Sequence, residues 1–244
     1  MNKGVIFPFA LCLLFILSAG CDKGQQGGEA KKPEQKPSES INPVFALAKD
    51  NVFLIGASDV GYLGTAFLVN FKEKRYAVTN FHVIERSRDF FLENESRIAF
   101  KDVTVVAADR KNDVAVLKVN GLLDSMKGLN YSTEYLTSQK IYISGYPDTK
   151  SKENHINFGS GVISDANYVA KNYIGKGDGK SLQFTIEINP GSSGSPVMNE
   201  KGDVLGVVAW YRPDVKGGNY AVPFNYVLDL LVEIENTKQN FSEI

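Results

Sequence analysis

A serine in a glycine-rich turn is the residue of this chain whose surroundings best suit chemistry. Residues 189–196 read Asn-Pro-Gly-Ser-Ser-Gly-Ser-Pro, with Ser193 two positions after Gly191. A serine nucleophile needs an exposed hydroxyl and two N–H groups aimed at the oxyanion that forms when a carbonyl is attacked. Gly191 can adopt the backbone angles that turn its N–H outward. Because similar turns are often inert, the prediction depends on partners elsewhere in the chain.

Two upstream residues are candidates for a general base and the acid that orients it. His82 follows two predicted short strands that turn at residues 70–75, so it should lie where the second strand ends. The other histidine, His155, lies in a polar stretch and is typical of a loop residue. Asp113 stands at the mouth of an apolar strand, where a buried carboxylate can fix the tautomer of an imidazole. Asp109 lies further from that strand and suits a turn cap.

Five motifs resemble the HtrA/Deg-type branch of the chymotrypsin-like serine proteases. They are Thr-Asn-Phe-His-Val at 79–83, Asp-Arg-Lys-Asn-Asp-Val-Ala-Val-Leu-Lys at 109–118, Gly-Val-Ile-Ser at 161–164, the serine turn at 189–196 and Tyr-Ala-Val-Pro at 220–223. Residues 194–200 are also similar to bacterial glutamyl endopeptidases. The resemblance covers roughly residues 48–235. It implies a serine endopeptidase acting on proteins or peptides, with the triad His82, Asp113 and Ser193 and an oxyanion hole formed by the N–H groups of Gly191 and Ser193.

Short apolar segments separated by turn signals predict an all-β fold. The predicted strands are 52–55, 62–69, 75–79, 103–107, 114–119, 140–144, 156–163, 182–188, 196–198, 204–210 and 220–222. The resemblance implies two six-stranded antiparallel β-barrels with the site between them. After Pro223, apolar residues from Val227 to Ile234 recur at helical spacing, which predicts a C-terminal helix whose stripe serves packing.

The chain also departs from the resembling families. Ser192 stands where blood and pancreatic proteases carry an aspartate that pairs with a new amino terminus after zymogen cleavage, so we expect no dependence on that step. Ser195 replaces the usual glycine, as in glutamyl endopeptidases. Only residues 194–244 follow the predicted nucleophile, which is too few for the PDZ domain of HtrA-type enzymes. We therefore expect one protease domain over residues 42–244.

Predicted substrate contacts lie on two segments. The resemblance implies that the strand carrying Ala209, Trp210 and Tyr211 pairs with the substrate backbone. Glu187 lies six residues before Ser193, where trypsin-like enzymes place the acid of the primary pocket. If residues 182–188 form one strand, Glu187 lies on the face opposite Phe184. It then either lines the pocket and favours lysine or arginine, or faces solvent and leaves an aliphatic preference.

The amino terminus predicts export and lipid attachment. Residues 1–20 combine Lys3 with a short apolar run and end in Leu-Ser-Ala-Gly before Cys21, which resembles a bacterial lipobox. Acylation of Cys21 would anchor the protein to a membrane of the cell envelope, facing the periplasm or the cell surface. Residues 21–41 hold almost no large apolar side chain and predict a disordered tether. The alternative is an ordinary secretory signal.

Composition argues against several other classes. The formal net charge is −1 and no basic stripe is present, so nucleic acid is not an expected partner. Two histidines without clustered cysteines predict no metal site, and no cofactor is expected. Two alternatives stay open: a protease-like module that binds extended peptides with weak or no catalysis, and an esterase that uses the same residues. The sequence leaves the oligomeric state undetermined.

Overall fold

The computed structural model describes residues 41–147, 155–170 and 179–242. The helices are α1 (Pro43–Asn51), α2 (Phe81–Ile84) and α3 (Asn225–Ser242). The strands are β1 (Val52–Ala57), β2 (Gly61–Phe71), β3 (Lys74–Thr79), β4 (Phe90–Glu93), β5 (Ala99–Asp109), β6 (Val114–Val119), β7 (Lys140–Gly145), β8 (Asn157–Val169), β9 (Lys180–Phe184), β10 (Pro196–Met198), β11 (Val204–Tyr211) and β12 (Asn219–Pro223).

The strands form two closed antiparallel barrels of six strands each. The first barrel runs β1-β2-β3-β6-β5-β4 and the second β10-β11-β12-β9-β8-β7. Closure pairs every strand on both sides and so removes the unpaired edges that favour aggregation. The predicted all-β class, the two barrels and the C-terminal helix are confirmed.

Strands that are apolar along their whole length have both faces buried. All six residues of β1 are buried. Phe53 and Ile55 belong to the core of the first barrel, whereas Val52 and Leu54 belong to a second cluster that includes residues of both barrels and of α1 and α3. Because successive side chains point to opposite faces of a strand, such a run contacts two cores at once. This shared cluster joins the two barrels.

Helix α3 returns from the second barrel to pack against the first. Its stripe Val227, Leu230, Leu231 and Ile234 is buried, as predicted for packing. Glu235, on the same helix, accepts a hydrogen bond from Tyr76 Oη at 3.0 Å and contacts Lys74 Nζ at 2.8 Å. Helix α3 thus ties the end of the second barrel to strand β3 of the first.

The structure corrects three details of the predicted elements. The strand expected over 182–188 ends at Phe184, so the alternation used to place Glu187 does not apply. His82 lies in the single-turn helix α2 and not at the end of β3, which stops at Thr79. Strand β4 and helix α1 were not predicted. Both are short, and each is stabilised by packing on its neighbours.

Candidate active site

His82 and Asp113 form a hydrogen-bonded pair in the first barrel. Strands β3 and β6 pair with Thr79 opposite Ala115, which brings the segment after β3 beside the segment before β6. His82 Nδ1 lies 2.8 Å from Asp113 Oδ2, and the His82 backbone N–H donates to Oδ1 at 2.9 Å. An ionised carboxylate only accepts, so Nδ1 carries the proton and Nε2 keeps its lone pair. This is the tautomer that a general base requires.

The backbone of Asp113 is fixed in an uncommon conformation. Its φ is 57°, in the left-handed region that aspartate tolerates better than most residues. The side-chain N–H of Asn80 donates to the Asp113 carbonyl at 2.9 Å. The Asp113 side chain is 9% exposed and the His82 side chain 36% exposed. A buried acid therefore orients an imidazole whose far edge is open to solvent.

Hydrogen bonding in the serine turn leaves two amides without acceptors. Pro190 has no N–H. Four N–H groups of the turn donate hydrogen bonds. Asn189 N–H donates to Ser192 Oγ and Ser192 N–H to the Asn189 carbonyl. Gly194 N–H donates to the Val208 carbonyl and Ser195 N–H to the Ser192 carbonyl. Within the described residues, the N–H groups of Gly191 and Ser193 donate to nothing. Gly191 has a φ of 99°, which glycine adopts without a side-chain clash. The two free donors are those predicted for the oxyanion hole.

The Ser193 hydroxyl bonds to β11. Its Oγ donates to the Ala209 carbonyl at 3.3 Å, and no hydrogen bond joins it to His82 in the part of the chain that the structure describes. Bonds between catalytic groups are often long or misaligned in unliganded enzymes and tighten with substrate. The structure thus contains the bonded pair His82 and Asp113 and the predicted nucleophile Ser193, with no hydrogen bond between the pair and the serine among the described residues.

Two cavities meet at Ala209 and Trp210. A cavity of about 400 Å³ contains His82 and Asp113, and its other lining residues are Val60, Leu63, Val83, Glu85 and Arg86. A cavity of about 210 Å³ contains Ser193, and its other lining residues are Ile188, Asn189, Pro190 and Tyr211. Because Ala209 and Trp210 line both, the histidine pair and the serine border the same segment of β11.

Aromatic stacking stiffens this segment. Trp210 stacks on Tyr220 with ring centroids 3.9 Å apart, and Tyr168 packs on Tyr220 at 4.6 Å. Burial raises the pKa of Tyr220 to about 12, and its hydrogen bond with the Tyr168 side chain adds to the rise.

Glu187 does not line the cavity that contains Ser193. It is exposed, and it lines a separate cavity of about 180 Å³ with Phe158, Ser192 and Ser195. Its displacement follows from the early end of β9 at Phe184, after which the chain leaves the barrel. The prediction that one strand spans 182–188 and carries Glu187 on the face opposite Phe184 is therefore wrong.

Two residues that contact the site were not recognised in the sequence. Asn80 holds the Asp113 carbonyl, and Thr65 binds the carbonyls of Gly191 and Ser193. Asn80 lies within the motif around His82, so its position offered a signal. Thr65 lies in an apolar strand far from the serine turn, and no local pattern marks it.

Other classes of site were sought in the same described residues. No group of three or more His, Cys, Asp or Glu there is placed to hold a metal ion. None of the described helices has the length and apolar character needed to cross a membrane. His155, predicted as a loop residue, is exposed and contacts Glu95, with His155 Nδ1 and Glu95 Oε1 3.3 Å apart.

Comparison with known proteins identifies the family of the chain. Residues 64–207 match the family model described as a trypsin-like peptidase domain. A probable periplasmic serine endoprotease of DegP-like type from Hahella chejuensis is 25% identical over 187 residues, covering 75% of this chain and 37% of the relative. A serine protease of HtrA-like type from Staphylococcus aureus is 28% identical over 172 residues, covering 66% of this chain and 22% of the relative. The chain thus spans well under half of the length of these two relatives.

Solved structures share the fold. The Rv3671c protease from M. tuberculosis in its active form has a TM-score of 0.68 at 22% identity, covering 86% of this chain and 94% of that one. The inactive form of the same protease has a TM-score of 0.64 at 24% identity, covering 82% and 96%. At this level of identity the likeness concerns the two-barrel fold alone.

Proposed function

Because the chain belongs to the family of trypsin-like peptidase domains, we propose that it is a serine endopeptidase that hydrolyses peptide bonds through an acyl-enzyme. The observation that carries this proposal is the pattern of amides in the serine turn. Within the serine turn at 189–196, and among the described residues, only the N–H groups of Gly191 and Ser193 donate to nothing, and they lie beside the hydroxyl that would attack. Two preorganised donors beside a nucleophile are what stabilise a tetrahedral oxyanion.

The chemistry assigns one role to each residue of the triad. Ser193 Oγ attacks the carbonyl carbon of the substrate while His82 Nε2 takes its proton, and the carbonyl oxygen becomes an oxyanion held by Gly191 and Ser193 N–H. The C–N bond then breaks as His82 returns the proton to the leaving amine. Water repeats these steps on the ester and frees Ser193. Asp113 stabilises the imidazolium that forms twice in each cycle.

Two observations bear on the substrate. Strand β10 pairs with β11 as far as Val207, opposite Pro196, and an extended peptide would continue this pairing along Ala209 to Tyr211. Binding there would replace the bond from Ser193 Oγ to Ala209 and release the hydroxyl to His82. The described residues that line the cavity beside Ser193 include no charged side chain, which favours an aliphatic side chain before the scissile bond.

The structure also offers support for a second function, a peptide-binding module without catalysis. That reading draws on the Ser193 hydroxyl, which bonds to Ala209 and not to His82. A fluorophosphonate probe applied to the full chain in detergent separates the two functions. We expect phosphonylation of Ser193, located by mass spectrometry of the labelled peptide, together with cleavage of an unfolded protein. An unlabelled chain that binds peptides without cleaving them would favour the module.

Esterase activity would use the same residues, so labelling alone does not separate it from proteolysis. Cleavage of an amide needs protonation of the leaving nitrogen, which His82 is placed to supply. We therefore expect hydrolysis of both a peptide amide and the corresponding ester. Hydrolysis of the ester with no detectable cleavage of any peptide amide or protein would assign an esterase instead.

The proposed location is the bacterial cell envelope, with Cys21 acylated and the tether at 21–41 holding the protease off the membrane. These residues lie almost entirely outside the described part of the chain, and the support is the lipobox-like sequence and the periplasmic description of the DegP-like relative. We expect Cys21→Ser to move the protein from the membrane fraction to the soluble fraction. A membrane-bound Cys21→Ser variant, with no lipid on the wild type by mass spectrometry, would contradict this.

A further inference from the structure

Thr65 makes four hydrogen bonds, and two of them connect the first barrel to the serine turn. It lies in β2 and is fully buried. Its N–H donates to the Ser193 carbonyl at 2.9 Å, and its Oγ1 donates to the Gly191 carbonyl at 2.9 Å. The same Oγ1 accepts the Tyr146 N–H at 3.0 Å, and the Thr65 carbonyl accepts Thr79 Oγ1 at 2.7 Å. Every polar atom of Thr65 is therefore in use.

The direction of each bond at the Thr65 hydroxyl is fixed by its partners. A backbone N–H only donates and a carbonyl only accepts, so Oγ1 must accept from Tyr146 and give its single proton to Gly191. The hydroxyl cannot turn elsewhere without leaving the buried Tyr146 N–H and the half-buried Gly191 carbonyl without this partner, which is costly. Gly191 thus has a directional anchor that comes from the opposite barrel.

The serine turn needs such an anchor because its own residues are permissive. Gly191 has no Cβ and can populate several backbone conformations, and a rotation of its peptide planes would redirect its N–H. Thr65 holds the carbonyl of Gly191 and the carbonyl of Ser193, one on each side of Ser192. Packing is close as well, since a Cβ at Gly194 would overlap the Thr65 carbonyl oxygen.

We propose that Thr65 is a positioning residue whose hydroxyl sets the orientation of the oxyanion hole. The inference rests on the proposed peptidase function and deepens it. Thr65 contacts neither substrate nor reacting atoms; it acts through the Gly191 carbonyl. Losing its hydroxyl should therefore weaken stabilisation of the transition state and leave binding of the ground state intact.

The experiment compares Thr65→Ser with Thr65→Ala in the full chain, because these two variants differ by one oxygen. We expect Thr65→Ser to keep kcat within about threefold of the wild type. We expect Thr65→Ala to lose about 10-fold to 100-fold in kcat at unchanged KM, less than the roughly 100-fold to 1000-fold loss when an oxyanion donor is removed outright. A peptide trifluoromethyl ketone, whose adduct on Ser193 carries an oxyanion, should lose affinity for Thr65→Ala by a similar factor.

Two controls separate positioning from loss of stability. Ser181→Ala removes another buried hydroxyl, which donates to the Gly179 carbonyl at 3.2 Å in β9, and should keep kcat. If Thr65→Ala does not fold, Thr65→Val keeps the side-chain volume and should show the same loss of kcat. Equal kcat for Thr65→Ser and a folded variant without the hydroxyl overturns the inference, and so does a change in KM alone.

The same assays distinguish failure of this inference from failure of the proposed function. A wild-type chain that neither cleaves peptides nor reacts with the fluorophosphonate probe removes the peptidase assignment, and the role of Thr65 falls with it. An active wild type whose Thr65→Ala variant is equally active removes only the role of Thr65.

Discussion

The two halves of the candidate site are held in place in different ways. His82 and Asp113 both belong to the first barrel and are joined by two hydrogen bonds, at 2.8 and 2.9 Å. Ser193 belongs to the second barrel, and its turn is fixed by bonds to Val208 in its own barrel and to Thr65 in the other. The base is therefore organised within one barrel, whereas the nucleophile depends on how the two barrels meet. Changes at the barrel interface should damage the serine half first.

Removing the nucleophile should have the largest effect. Ser193→Ala deletes the attacking oxygen, and we expect kcat to fall about 10⁶-fold, as in other serine proteases that lose a triad member. Ser195→Ala is the control, because Ser195 Oγ is buried with no partner among the described residues and its loss breaks no bond. Kinetics with a peptide substrate measure both, and Ser193→Ala turnover within tenfold of the wild type would refute the assignment.

A substitution of Asp113 tests the His82–Asp113 pair, which lies within the first barrel. Asp113→Asn keeps the shape, but an amide can also donate, so His82 Nδ1 is no longer obliged to carry the proton. We expect kcat to fall about 10⁴-fold. Asp109→Asn is the matched control, since Asp109 only caps the turn at Lys111 and Asn112. Equal activity of the two variants in the same assay would show that Asp113 does not orient the base.

A substitution where the two barrels meet tests the position of the serine turn. Gly194 has a φ of 87°, and a Cβ there would overlap the Thr65 carbonyl. Gly194→Ala should push the turn away from Thr65 and lower kcat about 100-fold, the cost of a misplacement near 1 Å. Gly217→Ala is the control: its φ is 69° and a Cβ meets nothing within 4 Å.

For both variants, Gly194→Ala and Gly217→Ala, the measurements are kcat and the thermal melting temperature. Gly217→Ala should lose about 1 kcal/mol of stability from its backbone conformation while keeping its activity. A Gly194→Ala variant that is folded and fully active would show that the serine turn tolerates movement relative to the first barrel.

The smallest expected effect concerns the charge near the serine turn. Glu187 lies outside the cavity that contains Ser193. Glu187→Ala should therefore change the ratio of kcat/KM between substrates with arginine and with valine before the scissile bond by less than about twofold. A tenfold change would correspond to about 1.4 kcal/mol. Tyr211→Ala, which enlarges the cavity beside Ser193, should shift the preference toward larger side chains. A marked loss of arginine cleavage in Glu187→Ala would return Glu187 to the substrate pocket.

Local patterns predicted most of the strands but misjudged where the chain leaves a sheet. Strands β6 and β10 have the predicted bounds, because both are short apolar runs between clear turn signals. The segment Thr-Ile-Glu-Ile after Phe184 alternates like a strand, yet it lies in the loop that leads to the serine turn. An alternating pattern shows only which side chains are apolar. Whether a segment joins a sheet depends on hydrogen-bonded pairing with a neighbouring strand.

By itself, the sequence predicted which residues could do chemistry and part of their local geometry. It placed a serine between glycines that adopt left-handed angles, an aspartate at the start of an apolar strand and a histidine after another. Only the tertiary structure decided that Thr65 anchors Gly191, 126 residues away, that Ser193 Oγ faces Ala209, and that Glu187 opens into a different cavity. The reason is physical: local propensity acts within a turn of chain, whereas these contacts exist only once two closed barrels pack together.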